Sequence, residues 1–144
     1  MPDIATSLLI PAPRAALWSV LTDFAAYPEW NPLVLEARGG GAAGERIDIL
    51  VARPDGSGKR NRFRAVVEER VEGEALAWRG RVPLLFDGLH WFRLEDEAGG
   101  TLLRHGEVMR GLLPRIGGPR LAVAYRPGYE RLNEALAARV AALA

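Results

Sequence analysis

The sequence predicts an α+β fold in which a curved antiparallel sheet of seven strands wraps around one long C-terminal helix. Two patterns indicate this fold. Most of the chain from residue 33 to residue 110 alternates apolar and polar side chains between short turns, as antiparallel hairpins do. Residues 119–144 instead carry apolar side chains at steps of three or four, the spacing of an amphipathic helix. The length of 144 residues fits a single domain over residues 1–144.

The N-terminal part of the chain predicts one strand and one or two short helices. Residues 3–10 are short, rich in aliphatic side chains and followed by Pro11, which favours a strand. Pro13 suits the first turn of a helix, where its missing N–H has no partner to lose. Apolar side chains then recur at helical spacing at Leu17, Val20, Leu21 and Phe24. Residues 27–32 contain two prolines and predict a rigid turn or a second short helix.

Six more strands are predicted in the middle of the chain. They cover residues 33–38, 45–53, 60–71, a segment that begins at Leu76, 86–95 and 101–110. Short glycine-containing turns separate them, for example Pro54–Gly58. An antiparallel sheet of this kind has one face to bury, and the only large apolar partner is the C-terminal helix. A cavity remains between the two where the facing side chains do not fill the space.

The C-terminal segment predicts a long helix with two special features. Pro127-Gly128 lies in its middle and predicts a kink. The segment Leu112–Gly118, which joins the last strand to the helix, is apolar and contains glycines. Two interpretations of this segment are open, a hinged gate over the cavity or a packed connector.

Composition excludes several classes of function. The chain has no cysteine, which excludes disulfides, zinc ribbons, iron–sulfur clusters and thiol nucleophiles. Its two histidines are too few for a histidine-only metal site, and the set His90, His105 and Glu107 lacks a supporting ligand spacing, so we expect no metal and no cofactor. Nineteen basic and 18 acidic side chains leave a net charge of +1, which predicts no nucleic-acid partner.

The sequence shows neither an N-terminal targeting segment nor a membrane-spanning segment. The first residues lack a basic segment followed by a long apolar run, and no window reaches the roughly 18–20 apolar residues of a membrane span. We therefore expect a cytoplasmic protein without a membrane span. The basic residues Arg60, Arg62 and Arg64 alternate on one strand, and Glu68 and Glu69 follow closely, which favours a solvated outer face.

Four stretches of the sequence carry a resemblance to a known family. They are Ile10–Pro32 with its Tyr27-Pro28-Glu29-Trp30-Asn31-Pro32 element, Gly88–Leu94, Gly100–Leu113 and Asn133–Leu136. These stretches resemble the START-like, helix-grip proteins of the SRPBCC superfamily over nearly the whole chain. The Trp-Asn-Pro element and the His-x-Phe strand resemble the small bacterial, polyketide-cyclase-like branch. The resemblance implies a cavity between the sheet and the long helix that usually holds apolar or aromatic small molecules.

The resemblance also implies which side chains face that cavity. The candidates are Phe63, Val67, Trp78, His90, Phe92, His105, Glu107, Tyr125 and Tyr129, and the alternation of the strands predicts most of them independently. Trp30 is interpreted either as a core residue or as part of the rim of the entrance. Tyr125 and Tyr129 are one helical turn apart, and their hydroxyls are available to meet a ligand if they do not only pack against the sheet.

The two histidines are predicted to meet one carboxylate. If residues 86–95 and 101–110 form a hairpin that turns at Ala98-Gly99, Leu94 faces Leu103, Phe92 faces His105 and His90 faces Glu107. An ionised carboxylate in an apolar setting needs a partner or a proton. The cluster is open to three interpretations, which are a polar pair that fixes the register, a pair that orients a ligand, and an acid/base pair.

Two functions from different classes are compatible with these observations. The first is a binding protein without catalysis, which holds a small apolar, aromatic or lipid-like molecule in a cavity of about 300–1,000 Å³. The alternative is a cyclase or dehydratase that uses Glu107 and His90 as acid and base. A docking module for a partner protein is suggested by family analogy alone. The pattern does not determine the oligomeric state, and a homodimer is one of the open arrangements.

Overall fold

A computed structural model describes residues 3–144 and contains seven strands and three helical segments. The strands are β1 (Asp3–Ile10), β2 (Val34–Gly39), β3 (Arg46–Ala52), β4 (Arg60–Val71), β5 (Ala75–Val82), β6 (Phe86–Glu97) and β7 (Gly100–Arg110). The helices are α1 (Arg14–Thr22), a 3₁₀ helix (Phe24–Glu29) and α2 (Leu112–Leu143). The predicted strand positions differ from these bounds by a few residues at most.

The seven strands form one antiparallel sheet in the order β1-β7-β6-β5-β4-β3-β2. Each strand from β2 to β7 pairs with its neighbour in sequence, and β1 closes the edge by pairing with β7. The register shifts between Val34 and Glu36 in β2 and between Val67 and Glu69 in β4. Such bulges bend a strand and increase its twist. The α+β fold predicted from the sequence is therefore confirmed, with a curved sheet and a long C-terminal helix.

Two short helices connect β1 to β2, as predicted. The Tyr27 hydroxyl donates a hydrogen bond to the Leu21 carbonyl at 2.6 Å and ties the 3₁₀ helix to α1. Asn31 then accepts hydrogen bonds at its side-chain oxygen from the backbone N–H groups of Leu33 (3.0 Å) and Val34 (2.8 Å). These local bonds guide the chain from the helical segment into β2.

The long helix has one non-helical point between its ends. The backbone leaves helical geometry at Gly118 (φ 57°, ψ −150°), directly before the helix predicted from residue 119, and the dihedral angles at Pro127 and Gly128 stay helical. The kink at Pro127-Gly128 stays a prediction, because helical dihedral angles are compatible with a bend. Gly118 tolerates a positive φ, and the proline that follows it disfavours helical geometry at Gly118 itself. The segment before this break is helical as well, so it is not a loop.

The position of α2 leaves one part of the sheet uncovered. Apart from Pro114, its buried side chains belong to the second half of the helix and are Tyr129, Leu132, Asn133, Leu136 and Val140. The helix packs mainly against β1, β7 and α1. The concave faces of β3, β4 and β5 therefore meet the helix only loosely, and this is where a cavity lies.

Candidate functional site

A cavity of about 350 Å³ lies between the concave face of the sheet and α2. Its apolar wall includes Val51, Phe63, Trp78 and Phe86. Its polar groups come from four places, which are the end of β3, the start of β4, the paired strands β6 and β7, and the inner face of α2. They are Arg53, Asn61, Arg62, His90, Glu107, Tyr125 and Tyr129. Its volume falls at the lower end of the range usual for small-molecule sites.

Six of the ten residues predicted to contact a ligand line this cavity. They are Phe63, Trp78, His90, Glu107, Tyr125 and Tyr129. The other four, which are Trp30, Val67, Phe92 and His105, do not belong to its lining. Val67, Phe92 and His105 are at most 1% exposed, because they lie in the core behind the first layer of side chains. Trp30 packs edge-to-face on Tyr27 with 5.4 Å between ring centroids.

The register of β6 and β7 brings the two histidines and the glutamate together. Leu94 pairs with Leu103, Phe92 with His105 and His90 with Glu107, as the sequence predicted. Side chains that face each other across adjacent antiparallel strands lie about 5 Å apart at Cβ. The contact between His90 and Glu107 therefore follows from the hairpin alone.

Three side chains form a continuous hydrogen-bonded row at the inner end of the cavity. The Nδ1 atom of His90 lies 3.0 Å from Oε1 of Glu107. The Nε2 atom of the same ring lies 2.7 Å from Nε2 of His105. His90 is 6% exposed and His105 is fully buried, so neither contact competes with solvent. Both nitrogens of His90 are thus engaged by other protein side chains.

The row continues through α2 and ends on the backbone of β7. Nδ1 of His105 lies 2.9 Å from Oδ1 of Asn133, and Nδ2 of Asn133 donates to Oγ1 of Thr6 at 2.8 Å. The Thr6 hydroxyl donates in turn to the carbonyl oxygen of His105 at 2.7 Å. A carbonyl oxygen only accepts hydrogen bonds, so this last contact fixes the direction of the whole row.

The protons of the row can be assigned from that anchor. Thr6 gives its hydrogen to the carbonyl, so its oxygen accepts from the amide nitrogen of Asn133, and the amide oxygen then faces His105. His105 must therefore carry its proton on Nδ1. Burial, and then the positive charge that His90 can carry, hold the pKa of His105 well below its ordinary value, so the ring is neutral. Its unprotonated Nε2 accepts from His90, and one proton remains for the contact between His90 and Glu107.

This assignment gives the His90–Glu107 pair a single shared proton. The pair is either an imidazolium with a carboxylate or a neutral imidazole with a carboxylic acid, and its net charge is zero in both forms. The apolar surroundings favour such a pair, because they penalise an isolated charge.

Only one atom of the pair is open to the cavity. Oε1 of Glu107 contacts His90 and also accepts a hydrogen bond from the Tyr129 hydroxyl at 2.9 Å. Burial and the Glu107 charge raise the pKa of Tyr129 well above 10, so the phenol remains a donor. Oε2 of Glu107 has no hydrogen-bond partner within residues 3–144 and lies above Gly88, where an added Cβ would come within 2.7 Å of it.

Aromatic packing holds the row rigid. The His105 ring stacks on Phe92 with 4.4 Å between centroids and 2° between planes. The His90 ring stacks on Trp78 at 5.0 Å and 10°. Stacked rings resist the rotation that would break the bonds between the ring nitrogens. Phe92 and His105, predicted as ligand contacts, thus support the residues that line the cavity.

Sequence reasoning missed three polar residues of this region. Asn133 interrupts the buried stripe of α2 between Leu132 and Leu136, and a polar residue in such a stripe is a usable signal. Thr6 lies on the buried face of β1, where strand alternation places it beside Ile4. Arg53 lies just after β3, and no pattern in the sequence marks it as a cavity residue.

Comparisons with known proteins agree with this architecture. The family model described as polyketide cyclase / dehydrase and lipid transport matches residues 1–142. A START superfamily protein from Mycobacterium smegmatis is 21% identical, with 99% of each chain covered and a TM-score of 0.79. A protein from Thermus thermophilus is 17% identical, with 99% of each chain covered and a TM-score of 0.78. At these identities the solved structures show the fold alone.

A biosynthetic protein is among the structural neighbours. The di-domain ARO/CYC StfQ from the steffimycin biosynthetic pathway is 18% identical, with 98% of this chain and 52% of that chain covered and a TM-score of 0.70. A comparison with curated protein sequences finds no significant match. No helix within residues 3–144 is long and apolar enough to cross a membrane.

Proposed function

The chain belongs to the polyketide cyclase / dehydrase and lipid transport family, and we propose that it binds a small apolar or aromatic molecule in the cavity between the sheet and α2. The body of the ligand lies against Phe63, Trp78 and Phe86. Its polar group meets the open oxygen of Glu107. The family and the START-like fold support a small-molecule site in this place, and the residues of this chain define its chemistry.

One observation carries the proposal, which is the unpartnered Oε2 of Glu107 at the end of an otherwise apolar wall. This oxygen accepts no hydrogen bond from a donor within residues 3–144, so a ligand that displaces water from the cavity must supply one. A hydroxyl or N–H group of a ligand supplies the missing donor when Glu107 is ionised. Oε2 stays an acceptor when the shared proton moves onto Glu107, because that proton lies on Oε1 between the two side chains. The ligand therefore needs a donor in both forms of the pair.

Native mass spectrometry of the protein purified from its own host tests this proposal. We expect one small molecule per chain, released by organic extraction, and weaker retention by Glu107→Ala than by the wild type. Glu134→Gln is the matched control, because Glu134 is an exposed carboxylate on α2. A protein that carries no ligand and also fails to bind the neutral fluorescent probe phenyl-naphthylamine would overturn the proposal.

A second candidate function is an acid/base reaction on such a ligand, and the shared proton is the observation that favours it. In a cyclisation, the carboxylate of Glu107 removes a proton from a carbon next to a carbonyl, and that carbon attacks a second carbonyl of the same molecule. One carbon–carbon bond forms, and the resulting alkoxide takes the proton back from Glu107. Loss of water from the product then gives the dehydrated ring without any change in redox state.

In this second candidate His90 does not touch the substrate through nitrogen. Both of its nitrogens are bonded within the protein, to Glu107 and to His105. Glu107 is therefore the single acid/base in contact with substrate. His90 holds the shared proton of the pair, which leaves Glu107 as a carboxylate that can accept the proton of the substrate. A short linear poly-β-ketone thioester is the test substrate. We expect turnover to be lost in Glu107→Gln while phenyl-naphthylamine binding persists, and equal turnover in the two proteins would refute catalysis by Glu107.

A further inference from the structure

The cavity contains a positive charge that the Glu107 end does not explain. Two arginines line it, Arg53 and Arg62. Arg62 forms an ion pair with Glu36 at 3.2 Å. Arg53 is half-buried and forms no ion pair and no side-chain hydrogen bond within residues 3–144. The guanidinium group has five N–H donors, so the wall of the cavity holds a strong donor without a partner.

Other arginines of the sheet show that pairing is the rule nearby. Arg64 contacts Asp48 at 3.3 Å on the outer face of β4, and Arg79 contacts both Glu68 and Asp87 at 2.6 Å. Asp55, the carboxylate nearest to Arg53 in sequence, is exposed and accepts a hydrogen bond from the backbone N–H of Ser57 at 2.9 Å. That hydrogen bond lowers the pKa of Asp55 and the charge of Arg53 contributes to the lowering, but no ion pair within residues 3–144 joins the two side chains, so the donors of Arg53 stay open.

The backbone that carries Arg53 is held firmly in place. Its N–H donates to the carbonyl oxygen of Lys59 at 2.7 Å across the turn between β3 and β4. The next residue, Pro54, packs so closely on α2 that a Cβ at Gly128 would lie 2.7 Å from the proline ring. Glycine at position 128 thus allows the helix and this turn to touch. The Cα atom of Arg53 is therefore held in a defined position beside the cavity.

A hydroxyl group lies beside the free arginine. Tyr125 lines the same cavity, and its hydroxyl has no hydrogen-bond partner within the described part of the chain. Arg53 and Tyr125 line the same cavity. Burial raises the pKa of Tyr125, the positive charge of Arg53 opposes that rise, and the charges of Asp55 and Glu107 add to it. Tyr125 therefore stays protonated and is able to donate a hydrogen bond. Arg53 and Tyr125 therefore both present hydrogen-bond donors to the cavity, the guanidinium N–H groups and the phenol O–H.

We propose that Arg53 and Tyr125 form an anion subsite, so that the ligand of this cavity is an amphiphile with an apolar or aromatic body and one acidic group. A carboxylate, a phenolate or a sulfonate has the geometry to accept from the guanidinium and the phenol together. The body of the ligand extends from this subsite along Phe63 and Trp78 towards Glu107. The inference rests on the proposed ligand binding and adds the charge of the ligand to it.

Two fluorescent probes that share an apolar core and differ in charge test the inference. Phenyl-naphthylamine is neutral, and anilinonaphthalene sulfonate carries one negative charge on a closely similar core. We expect Arg53→Met to weaken the binding of the sulfonate probe about tenfold, the effect of losing one charge-assisted hydrogen bond at a half-exposed site. The neutral probe keeps its affinity, because methionine preserves the apolar stem of the arginine.

The controls separate failure of this inference from failure of the proposed function. Arg64→Met removes an arginine from the outer face and should leave both probes unaffected. Tyr125→Phe should weaken the sulfonate probe less than Arg53→Met does. If neither probe binds the wild type, the proposed ligand binding itself fails. If the neutral probe binds and Arg53→Met leaves the affinity for the sulfonate probe unchanged, the anion subsite is refuted and the ligand-binding proposal stands.

Discussion

The two ends of the cavity differ in whether their polar side chains have partners within the protein. At the β6–β7 end, the ring nitrogens of His90 and His105 all have partners, and the row continues to Asn133 and Thr6. At the β3 end, Arg53 has no ion-pair partner within residues 3–144. A buried row with every bond made stabilises one structure, whereas a donor left open gains its partner only from outside the chain. Variants of the row behind Glu107 should therefore change stability, and variants of Arg53 should change binding.

The largest loss of stability is expected for Asn133→Leu. Leucine preserves the volume but leaves the buried Nδ1–H of His105 with the backbone oxygen of Tyr129 as its one remaining acceptor, and leaves Thr6 without its donor. We expect the free energy of unfolding to fall by about 3 kcal/mol. Urea unfolding measures this value, with Glu134→Gln as a neighbouring exposed control. A loss no larger than that of the control would contradict the described row.

The next effect is a pH dependence that arises from His105. Its pKa is lowered on folding by burial and by His90, so the unfolded chain binds a proton that the folded chain does not. Stability is therefore fully present above the ordinary value of 6.5 and decreases as the pH falls below it, by about 1.4 kcal/mol per pH unit. Between pH 7.5 and about pH 5.5 the free energy of unfolding should fall by about 1.4 kcal/mol in all in the wild type, and by less in His105→Gln. Equal slopes would argue against a neutral His105.

Tyr129→Phe should have a smaller effect, because it removes one hydrogen bond to a partly exposed carboxylate. The hydroxyl donates to Oε1 of Glu107 at 2.9 Å, and the ring itself remains packed. We expect a loss of about 1 kcal/mol in the free energy of unfolding. The same variant should not increase the affinity for either fluorescent probe. A loss comparable to that of Asn133→Leu would mean that Tyr129 belongs to the rigid row.

The smallest effect on stability is expected at the other end, for Arg53→Met. No ion pair within the described residues is broken, and the apolar stem is preserved, so the free energy of unfolding should stay within about 0.5 kcal/mol of the wild type. Thermal unfolding checks this in the same samples that are used for probe binding. A loss of several kcal/mol would show that Arg53 stabilises the fold and would end the contrast between the two ends.

Periodicity was sufficient to predict the sheet and the contact between His90 and Glu107. Both follow from the alternation of side chains along strands and from one short turn at Gly99, which together determine the register. The sequence does not indicate that the segment before Gly118 is helical, although glycine and proline occur together both there and at Pro127-Gly128. Gly128 is the point of closest contact with Pro54, and Gly118 is free to leave helical geometry.

The alternation of side chains along a strand does not predict which inward-facing residues line the cavity and which are packed in the core. Phe92 and His90 share a face of β6, yet only His90 reaches the cavity. Alternation assigns a side chain to a face, whereas its distance from the helix depends on sheet curvature, which bulges introduce. Asn133 and Arg53 come from segments far apart in sequence, and three-dimensional packing alone brings them to opposite ends of one site.

A cavity-filling variant tests most directly whether the space between the sheet and α2 is a ligand site. Gly80 lines the cavity on β5, and a Cβ added there would lie at an ordinary contact distance of 3.8 Å from Phe63. Gly80→Leu should therefore fold with an unchanged or higher melting temperature and lose at least tenfold in affinity for phenyl-naphthylamine, with Gly80→Ala in between. Full probe affinity in a folded Gly80→Leu protein would contradict a ligand site in this cavity.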